Sequence, residues 1–324
     1  MDVGMAYDVV TMGETMIRLS PPNDQRIEQA DYLHLRTGGA ESNVAVGLAR
    51  LGLRTAWVSK LVDNPLGRKI VSEIRSHGVD TSHVIWTREG RVGTYFVEFG
   101  RTPRPISVIY DRADSAITRL SPEEIDWQIL SQTKLVHLTG ITIALSESCA
   151  EVVDLFIDRA READVEVSFD VNYRGKLWSP TSAADKLHPI CAKTDILFVS
   201  SQDADTLFDC QGEVGELADS LSAMFPSQTI VVTMGDGGAI CVHEGEVHRQ
   251  SPFPAVEVDR VGAGDAFASG FLFGHLHGRD WRSCLEYGSA LAAIKYSIPG
   301  DLAITTREEL ENLLSRRTHD GIDR

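Results

Sequence analysis

Short apolar runs alternate along this chain with segments whose apolar residues recur at helical spacing. The apolar runs predict buried strands at Tyr7–Met12, Thr55–Lys60, Leu135–Thr139, Val165–Asp170, Ile196–Ser200 and Ile230–Met234. The segments between them are long enough for helices, and several begin with a helix-capping residue. Strands separated by helices in this way predict a mainly parallel sheet with helices on both faces.

Three of the helical segments have recognisable starts. Ser42 precedes an apolar run of helical period that Gly52 terminates, so a helix is predicted between these two residues. Ser121–Glu124 and Thr306–Glu309 have the capping-box spacing, a hydroxyl residue followed three positions later by glutamate. Each of these two pairs predicts the first turn of a further helix.

Two segments, Glu14–Arg36 and Arg91–Asp114, interrupt this alternation. Both have strand-like patterns without a helix between the strands. Arg91–Gly100 alternates in polarity as a half-exposed strand does, and Ile106–Tyr110 follows it after a proline-containing turn. Surface β-hairpins are the simplest interpretation of these insertions.

Composition excludes several classes of protein. The 324 residues suffice for one large α/β domain or two small ones. The 31 basic and 47 acidic residues give a net charge of −16 without any basic block, which argues against a nucleic-acid partner. No apolar stretch approaches the roughly 18 residues of a membrane span. Because the net charge is −16, an anionic substrate would need local positive charge in its site.

The cysteines and histidines predict no structural metal or disulfide. Five cysteines are scattered along the chain and none has C-x-x-C spacing: Cys149, Cys191, Cys210, Cys241 and Cys284. An odd, scattered set is typical of a protein in the reducing cytoplasm, which is where we expect this one. The ten histidines also lack metal-binding spacing.

The segment Asp259–Phe267, with the sequence D-R-V-G-A-G-D-A-F, places a glycine turn directly before an apolar helical pattern. Gly262, Ala263 and Gly264 lack bulk, so their N–H groups can approach a ligand closely. Because the first N–H groups of a helix are unpaired and lie at its positive end, this turn predicts an anion site. Asp265 then predicts a general base that accepts a hydroxyl proton while the turn holds a phosphoryl group. An ordinary helix with an acidic first turn explains the same string.

A second glycine turn, Gly38–Ala45, precedes another helical pattern and includes Asn43, which can both donate and accept hydrogen bonds. Together and in this order, the two strings resemble the signatures of the ribokinase-like (phosphofructokinase B type) carbohydrate kinases. That family usually has Thr where this chain has Arg260. Further segments resemble the 2-keto-3-deoxygluconate kinases of the family: Gly13–Glu14, Leu19–Pro22, Asn64–Gly67, Tyr110–Ala116, Gly140–Thr142, Asp170–Arg174, Leu177–Trp178 and Ile298–Asp301.

The resemblance covers nearly the whole chain and implies one domain over residues 1–324. Its fold would be a three-layer α/β/α sandwich with a mainly parallel central sheet and a small β lid. The inserted strands at about 14–36 and 91–114 would form the lid over the sugar and sometimes a homo-oligomer contact. We favour the lid over surface hairpins, because such insertions otherwise have no second face to bury.

The resemblance also implies roles for single residues. The sugar contacts would be Gly38, Gly39, Asn43, Tyr95, Tyr110, Arg112, Arg174 and Asp301. The ATP contacts would be Ser200, Asp203, Thr233, Gly235, Gly237, Gly262, Gly264 and Ser289. Asp203 would act through water on Mg²⁺, which keeps several waters in most sites, and family members often hold K⁺ on backbone oxygens near the nucleotide. Ser200, Asp203 and Ser289 depart from the family's usual Asn, Glu and Asn.

The expected function is transfer of the γ-phosphoryl group of ATP to a primary hydroxyl of 2-keto-3-deoxygluconate or a close sugar acid. Asp265 would be the base, and Arg112 and Arg174 would hold the carboxylate, because a guanidinium matches a carboxylate bidentately. The alternatives are a kinase for a neutral sugar such as fructose or ribose or for a nucleoside, and a non-catalytic sugar or nucleotide sensor. The P-loop sequence and the protein-kinase motifs are absent, which excludes those classes.

Overall fold

A computed structural model describes residues 5–225 and 229–320. The strands along the chain are β1 (Tyr7–Met12), β2 (Met16–Ser20), β3 (His34–Gly38), β4 (Thr55–Val62), β5 (Val84–Thr87), β6 (Thr94–Glu98), β7 (Ser107–Asp111), β8 (Thr133–Thr139), β9 (Glu166–Asp170), β10 (Ile196–Ser200), β11 (Thr229–Thr233), β12 (Ala239–His243) and β13 (Glu246–Gln250). The helices are α1 (Ala40–Arg50), α2 (Pro65–Ser76), α3 (Gly140–Ile143), α4 (Glu147–Glu162), α5 (Pro180–Cys191), α6 (Ser201–Phe208), α7 (Val214–Met224), α8 (Ala263–Leu276), α9 (Trp281–Tyr296) and α10 (Arg307–Asp320).

The large sheet of the described chain has the strand order β13-β12-β11-β10-β9-β8-β1-β4-β5. Its pairs are parallel from β5 across to β11, and β12 and β13 extend the edge in antiparallel fashion. The six predicted strands all lie in this sheet, with ends shifted by at most two residues. The prediction of a mainly parallel sheet is confirmed.

Helices cover both faces of the large sheet. Val10 of β1 belongs to a buried apolar cluster with Phe156 of α4, whereas its neighbour Val9 belongs to a second cluster with Phe271 of α8. Successive side chains of a strand point to opposite faces, so two covered faces explain why β1 is apolar at consecutive positions. None of the helices in the described part of the chain has the length and apolar character needed to cross a membrane.

The two inserted segments form a separate four-stranded sheet with the order β3-β2-β6-β7, which we call the small sheet. Strands β2 and β6 are parallel and pair in its centre, while the two outer pairs are antiparallel. On one face, Met16, Tyr95 and Val97 form a small buried cluster. The segments are therefore one shared sheet rather than two independent hairpins.

Two predicted helix starts are wrong. Helix α1 begins at Ala40 with Gly39 as its N-cap, so Ser42 lies inside the first turn and its hydroxyl donates to the Gly39 carbonyl oxygen at 3.0 Å. The capping box at Ser121–Glu124 does form, but it closes only a single 3-10 turn. The backbone becomes extended at Ile125, whose side chain is buried in the core. The start of α10 is as predicted, since Glu309 N–H donates to the Thr306 hydroxyl at 3.2 Å.

Candidate active site

A cleft follows the carboxyl ends of the central strands, where ligands bind in open α/β sheets. It consists of three adjoining cavities. The first, of about 340 Å³, lies against the small sheet and shares Tyr173 and Arg174 with a central cavity of about 490 Å³. The central cavity shares Thr233 and Gly264 with a distal cavity of about 410 Å³ beside α9. We call them the small-sheet, central and distal cavities.

The turn before α8 has the geometry of an anion site. Gly262 has a φ of 86°, and a Cβ atom on it would stand 2.1 Å from the main-chain oxygen of Asp301, so only glycine fits there. The N–H groups of Gly262, Gly264 and Asp265 donate to no acceptor within the described chain. At Gly264, by contrast, a Cβ atom would meet no other described atom within 4 Å, and the backbone is not left-handed. The glycine requirement therefore falls on Gly262.

Asp265 lies in the first turn of α8 at the edge of the cleft. Its Oδ2 atom accepts a hydrogen bond from Nδ2 of Asn43 at 2.7 Å, whereas Oδ1 has no partner among the described residues. Desolvation by the surrounding protein raises the pKa of Asp265 to about 6, opposed first by the Asn43 hydrogen bond and then by the charge of Arg174. The carboxylate thus has one oriented oxygen, one available oxygen and a pKa close to neutrality.

Two more carboxylates line the central cavity. Asp203 accepts the Tyr173 N–H at 3.3 Å, and burial is the main cause that raises its pKa. Burial, followed by the charges of Asp265 and Asp203, raises the pKa of Asp170 to about 8. Ser200 caps α6 by accepting the Asp203 N–H at 3.0 Å. Asp170 was not among the predicted site residues, although its position at the end of β9 is the signal that identifies it.

The small-sheet cavity is lined by three cations, Arg112, Arg174 and Lys176, and by no carboxylate of the described chain. Arg174 is exposed, donates to the Tyr173 carbonyl oxygen at 3.1 Å and forms no ion pair with any described residue. Lys176 donates to the Val108 carbonyl oxygen at 2.5 Å. This concentration of positive charge contrasts with the net charge of −16 of the whole chain. Lys176 was not predicted.

Arg112 differs from Arg174 because it already has a carboxylate partner. Its Nε donates to Oε2 of Glu14 at 2.8 Å, its Nη2 contacts the same oxygen, and both residues are at most 8% exposed. Its Nη1 atom has no hydrogen bond to a described residue, while the side chain lines the cavity. Only Nη1 of Arg112 therefore remains available to the predicted substrate carboxylate.

Several predicted sugar contacts lie in a packed layer behind the cleft. The Tyr95 hydroxyl donates to Oδ2 of Asp301 at 2.6 Å, and Nη1 of Arg18 donates to Oδ1 at 2.5 Å. A Cβ atom on Gly38 would stand 2.2 Å from the Tyr95 hydroxyl, so Gly38 makes room for this pair. A Cβ atom on Gly39 would likewise meet a main-chain oxygen at 2.1 Å. These residues shape the wall of the cleft.

Two buried charges near the cleft were not found from the sequence. Arg18 of β2 also donates through Nη2 to Oδ2 of Asp259 at 2.6 Å. Oε1 of Glu41 accepts the hydroxyl groups of Thr139 and Thr142 at 2.8 and 2.6 Å, and burial raises the pKa of Glu41 to about 7. Arg18 stands in an apolar stretch, where a charged side chain with no local partner is the available signal. Glu41 lies among small and polar residues, which give no such signal.

The residues predicted to contact ATP divide between two cavities. Thr233, Gly235, Gly264 and Ser289 line the distal cavity, together with apolar side chains of α9. Thr233 and Gly264 also line the central cavity, with Ser200 and Asp203. Two of the predicted contacts line neither cavity, namely Gly237 in a 3-10 turn and Gly262 at the N-cap of α8. Within the described residues, no three His, Cys, Asp or Glu side chains are grouped closely enough to hold a metal ion by themselves.

Comparison with known proteins defines the class of this protein. The family model for pfkB family carbohydrate kinases matches residues 6–315. This chain therefore belongs to the pfkB family of carbohydrate kinases and is an ATP-dependent sugar kinase.

Three similar proteins within the family have names that specify their substrates. The chain is 45% identical over 320 residues to the 2-dehydro-3-deoxygalactonokinase of Haloferax volcanii, covering 99% of this chain and all of that protein. It is 31% identical over 298 residues to the 5-dehydro-2-deoxygluconokinase of Geobacillus kaustophilus, covering 90% and 88% of the two chains. Among solved structures, the 2-dehydro-3-deoxygluconokinase of Thermotoga maritima superposes with a TM-score of 0.90 at 34% identity, over 95% of this chain and 99% of that one. The ribokinase-like fold is confirmed.

Proposed function

We propose that this kinase phosphorylates a keto-deoxy sugar acid, either 2-keto-3-deoxygluconate or its galactose-derived epimer. The observation that carries the proposal is the charge of the small-sheet cavity, which three cations line without any carboxylate of the described chain. A cavity of this charge favours an anionic ligand over a neutral sugar. The names of the relatives from Haloferax volcanii and Thermotoga maritima support the same substrate class.

Arg174 is the main carboxylate contact in this proposal. It has no ion-pair partner in the described chain, so its planar guanidinium group is available for two parallel hydrogen bonds. Arg112 contributes only Nη1, because Glu14 engages Nε and Nη2. Lys176 adds charge without a fixed fork geometry. Tyr110 lines the same cavity and would contact the sugar body.

Asp265 is the proposed general base. Its Oδ1 atom would accept the proton of the attacking hydroxyl, while Asn43 holds Oδ2 and thereby fixes the plane of the carboxylate. A pKa of about 6 keeps the group ionised at neutral pH and close to the optimum for proton transfer. Arg174 lies near enough to influence this pKa, so the sugar carboxylate and the attacking hydroxyl would be held within one small region.

The unpaired N–H groups of Gly262, Gly264 and Asp265 would stabilise charge on the transferring phosphoryl group. ATP would lie along the central and distal cavities, with its base against the apolar side chains of α9. The carboxylates of Asp203 and Asp170 are hard oxygen donors and fit a Mg²⁺ ion that keeps most of its waters and phosphate ligands. Bound Mg²⁺ supplies charge neutralisation of the phosphates.

The small sheet would act as the lid. Tyr110 and Val108 of β7 line the cavity that receives the sugar. The opposite face of the small sheet has an apolar row of cross-strand neighbours, namely Leu35, Leu19, Phe96 and Ile109. Leu35 and Ile109, at the two ends of the row, are 43% and 55% exposed. In the proposed homo-oligomer, a second copy of the chain would cover this row. An Ile109→Lys variant should then have a lower molar mass in solution than the wild type, measured by light scattering. A wild-type monomer at assay concentrations contradicts this contact.

A substrate panel tests the proposed activity. ADP release is measured with 2-keto-3-deoxygluconate, its galactose-derived epimer, fructose, ribose and adenosine. The sugar acids should have the highest kcat/KM, and a better neutral sugar would refute the substrate while leaving the kinase class intact.

The assignment of the base is tested separately. Asp265→Asn should lower kcat by about 10²–10⁴ while sugar and nucleotide still bind, because Asn keeps the volume. A variant with near-native kcat would reduce Asp265 to an acidic residue in an ordinary first turn.

A further inference from the structure

Lys295 is completely buried, with 0% of its surface exposed, near the end of α9. Its ammonium group donates to the main-chain oxygens of Asp259 and Ile298 at 2.9 and 3.2 Å. Lysine is almost never fully buried unless it is paired, because removing an ammonium group from water is costly. The proposed phosphoryl transfer gives this residue no role, so its position needs a separate explanation.

Both carbonyl groups belong to segments that support the anion turn. The Asp259 side chain accepts the N–H of Val261 at 3.0 Å and the N–H of Gly300 at 2.8 Å. The N–H of Asp259 in turn donates to the Tyr296 oxygen at 3.1 Å. The ammonium group thus joins the end of α9, the following loop and the residue that begins the turn.

The charges around Lys295 are balanced. Arg18 and Lys295 are the two cations, Asp259 and Asp301 are the two carboxylates, and all four are at most 5% exposed. Both oxygens of Asp301 accept hydrogen bonds, as expected for an ionised carboxylate. Without the ammonium charge, a net negative charge would remain behind the turn that receives an anionic phosphoryl group. Lys295 also lies close enough to Asp265 to lower its pKa.

The family resemblance implies K⁺ on backbone oxygens near the nucleotide. In this chain the carbonyl oxygens of Asp259 and Ile298, beside the anion turn, already accept hydrogen bonds from Lys295, so a K⁺ ion does not fit on them. We propose that the Lys295 ammonium group is the resident cation of the phosphate-binding turn, and that the enzyme turns over without an added monovalent cation. Lys295 is a positioning residue, since it touches the turn and not the substrate. The inference concerns the nucleotide half of the cleft and holds whichever sugar is accepted.

The first test uses the wild-type enzyme. Its kcat is measured with Mg-ATP prepared free of K⁺, Na⁺ and NH₄⁺, in tetramethylammonium chloride, and again at equal ionic strength in KCl, NaCl or NH₄Cl. The expected result is the same kcat in all four salts. Clear stimulation by K⁺ or NH₄⁺ overturns the proposal, because it requires a further cation site.

The second test removes the ammonium group. Lys295→Ala opens space at the two carbonyl oxygens, whereas Lys295→Met removes the charge and fills the space. Both should lose at least about tenfold in kcat in tetramethylammonium chloride, since an unbalanced buried charge is left behind. K⁺ or NH₄⁺ should restore Lys295→Ala and leave Lys295→Met unchanged. Lys193→Ala, which removes a surface lysine paired with Asp154 and Asp158, is the matched control and should retain full kcat.

Binding of ADP, measured by calorimetry, gives a readout that does not depend on the sugar. Lys295→Ala should bind ADP more weakly and recover affinity in KCl, even if every sugar in the panel fails as a substrate. Folding of each variant is checked by its melting temperature. A folded Lys295→Ala variant that no cation restores, or a Lys295→Met variant with native kcat and ADP affinity, reduces Lys295 to core packing and overturns the proposal.

Discussion

Replacing Arg174 by alanine should separate substrate recognition from protein stability. Arg174 is exposed and its single hydrogen bond runs to the neighbouring Tyr173 carbonyl oxygen, so its removal leaves no buried charge without a partner. A charge-assisted hydrogen bond contributes about 1.5–3 kcal/mol. At about 1.4 kcal/mol per decade, kcat/KM for the sugar acid should fall about 10- to 100-fold. The melting temperature should not change.

The corresponding change at Arg112 has a different consequence. Glu14 is 4% exposed and would remain as a buried carboxylate without its cation. Breaking a buried pair in this way costs about 3–5 kcal/mol. Arg112→Ala should therefore lose stability as well as activity, which is why Arg174 gives the clearer measurement of carboxylate binding.

The assay for Arg174 measures ADP release with the keto-deoxy sugar acid and with its analogue reduced at the carboxylate. The loss should be confined mostly to the acid. Arg161→Ala is the control, because Arg161 is an exposed arginine that also donates to a main-chain oxygen, that of Lys193. Equal losses on the acid and on the neutral analogue, measured well above the pKa of Asp265 so that the base stays ionised, would refute the reasoning and assign Arg174 to the phosphates.

Four further variants test the base and the residues around it. In a plot of kcat/KM against pH, the acid limb should lie near pH 6, which is the pKa of Asp265. Asn43→Ala should move this limb to higher pH, because Asn43 donates a hydrogen bond to the ionised carboxylate. A limb that does not move contradicts the assignment of Asp265 as the base. The pKa of Glu41 rises from 4.5 to about 7 on folding, so the wild type loses stability as pH rises through this interval. Relative to the wild type, the free energy of unfolding of Glu41→Gln should rise by up to about 3 kcal/mol between pH 4.5 and 8. If the difference in melting temperature between the two proteins does not change with pH, this prediction is wrong. In thermal denaturation, Gly262→Ala should lower the free energy of unfolding by more than about 2 kcal/mol. Gly264→Ala should leave the free energy of unfolding unchanged or raise it by up to about 1 kcal/mol.

The large sheet was predictable from the sequence because its strands are covered on both faces. In β1, the neighbours Val9 and Val10 enter different apolar clusters, so the strand is apolar at consecutive positions and easily recognised. For the small sheet, the residue pattern predicts only two strand-rich insertions, and the lid that joins them is predicted by the family resemblance alone. Its central parallel pair joins Arg18 to Tyr95, and no local pattern reports a pairing over such a separation.

The site was predicted in part for a similar reason. The turn around Gly262 and the base candidate Asp265 are recognisable because the anion site is local in sequence. Ion pairs are not local, and Arg112 was therefore predicted to have a free guanidinium group when Glu14 engages most of it. Lys295 was missed because its acceptors are main-chain oxygens, which leave no trace in side-chain identity.

The ion pairs of Arg18 bear on how the chain matures during synthesis. Arg18 lies in β2, yet its two carboxylate partners, Asp259 and Asp301, follow 241 and 283 residues later in the sequence. During synthesis the Arg18 guanidinium group in the centre of the small sheet therefore stays without these partners until the ribosome has made the segments that carry them. These two contacts can close only after Asp301 has been made, and a nascent enzyme that ends before Asp301 lacks both the finished wall of the cleft and the support of its turn.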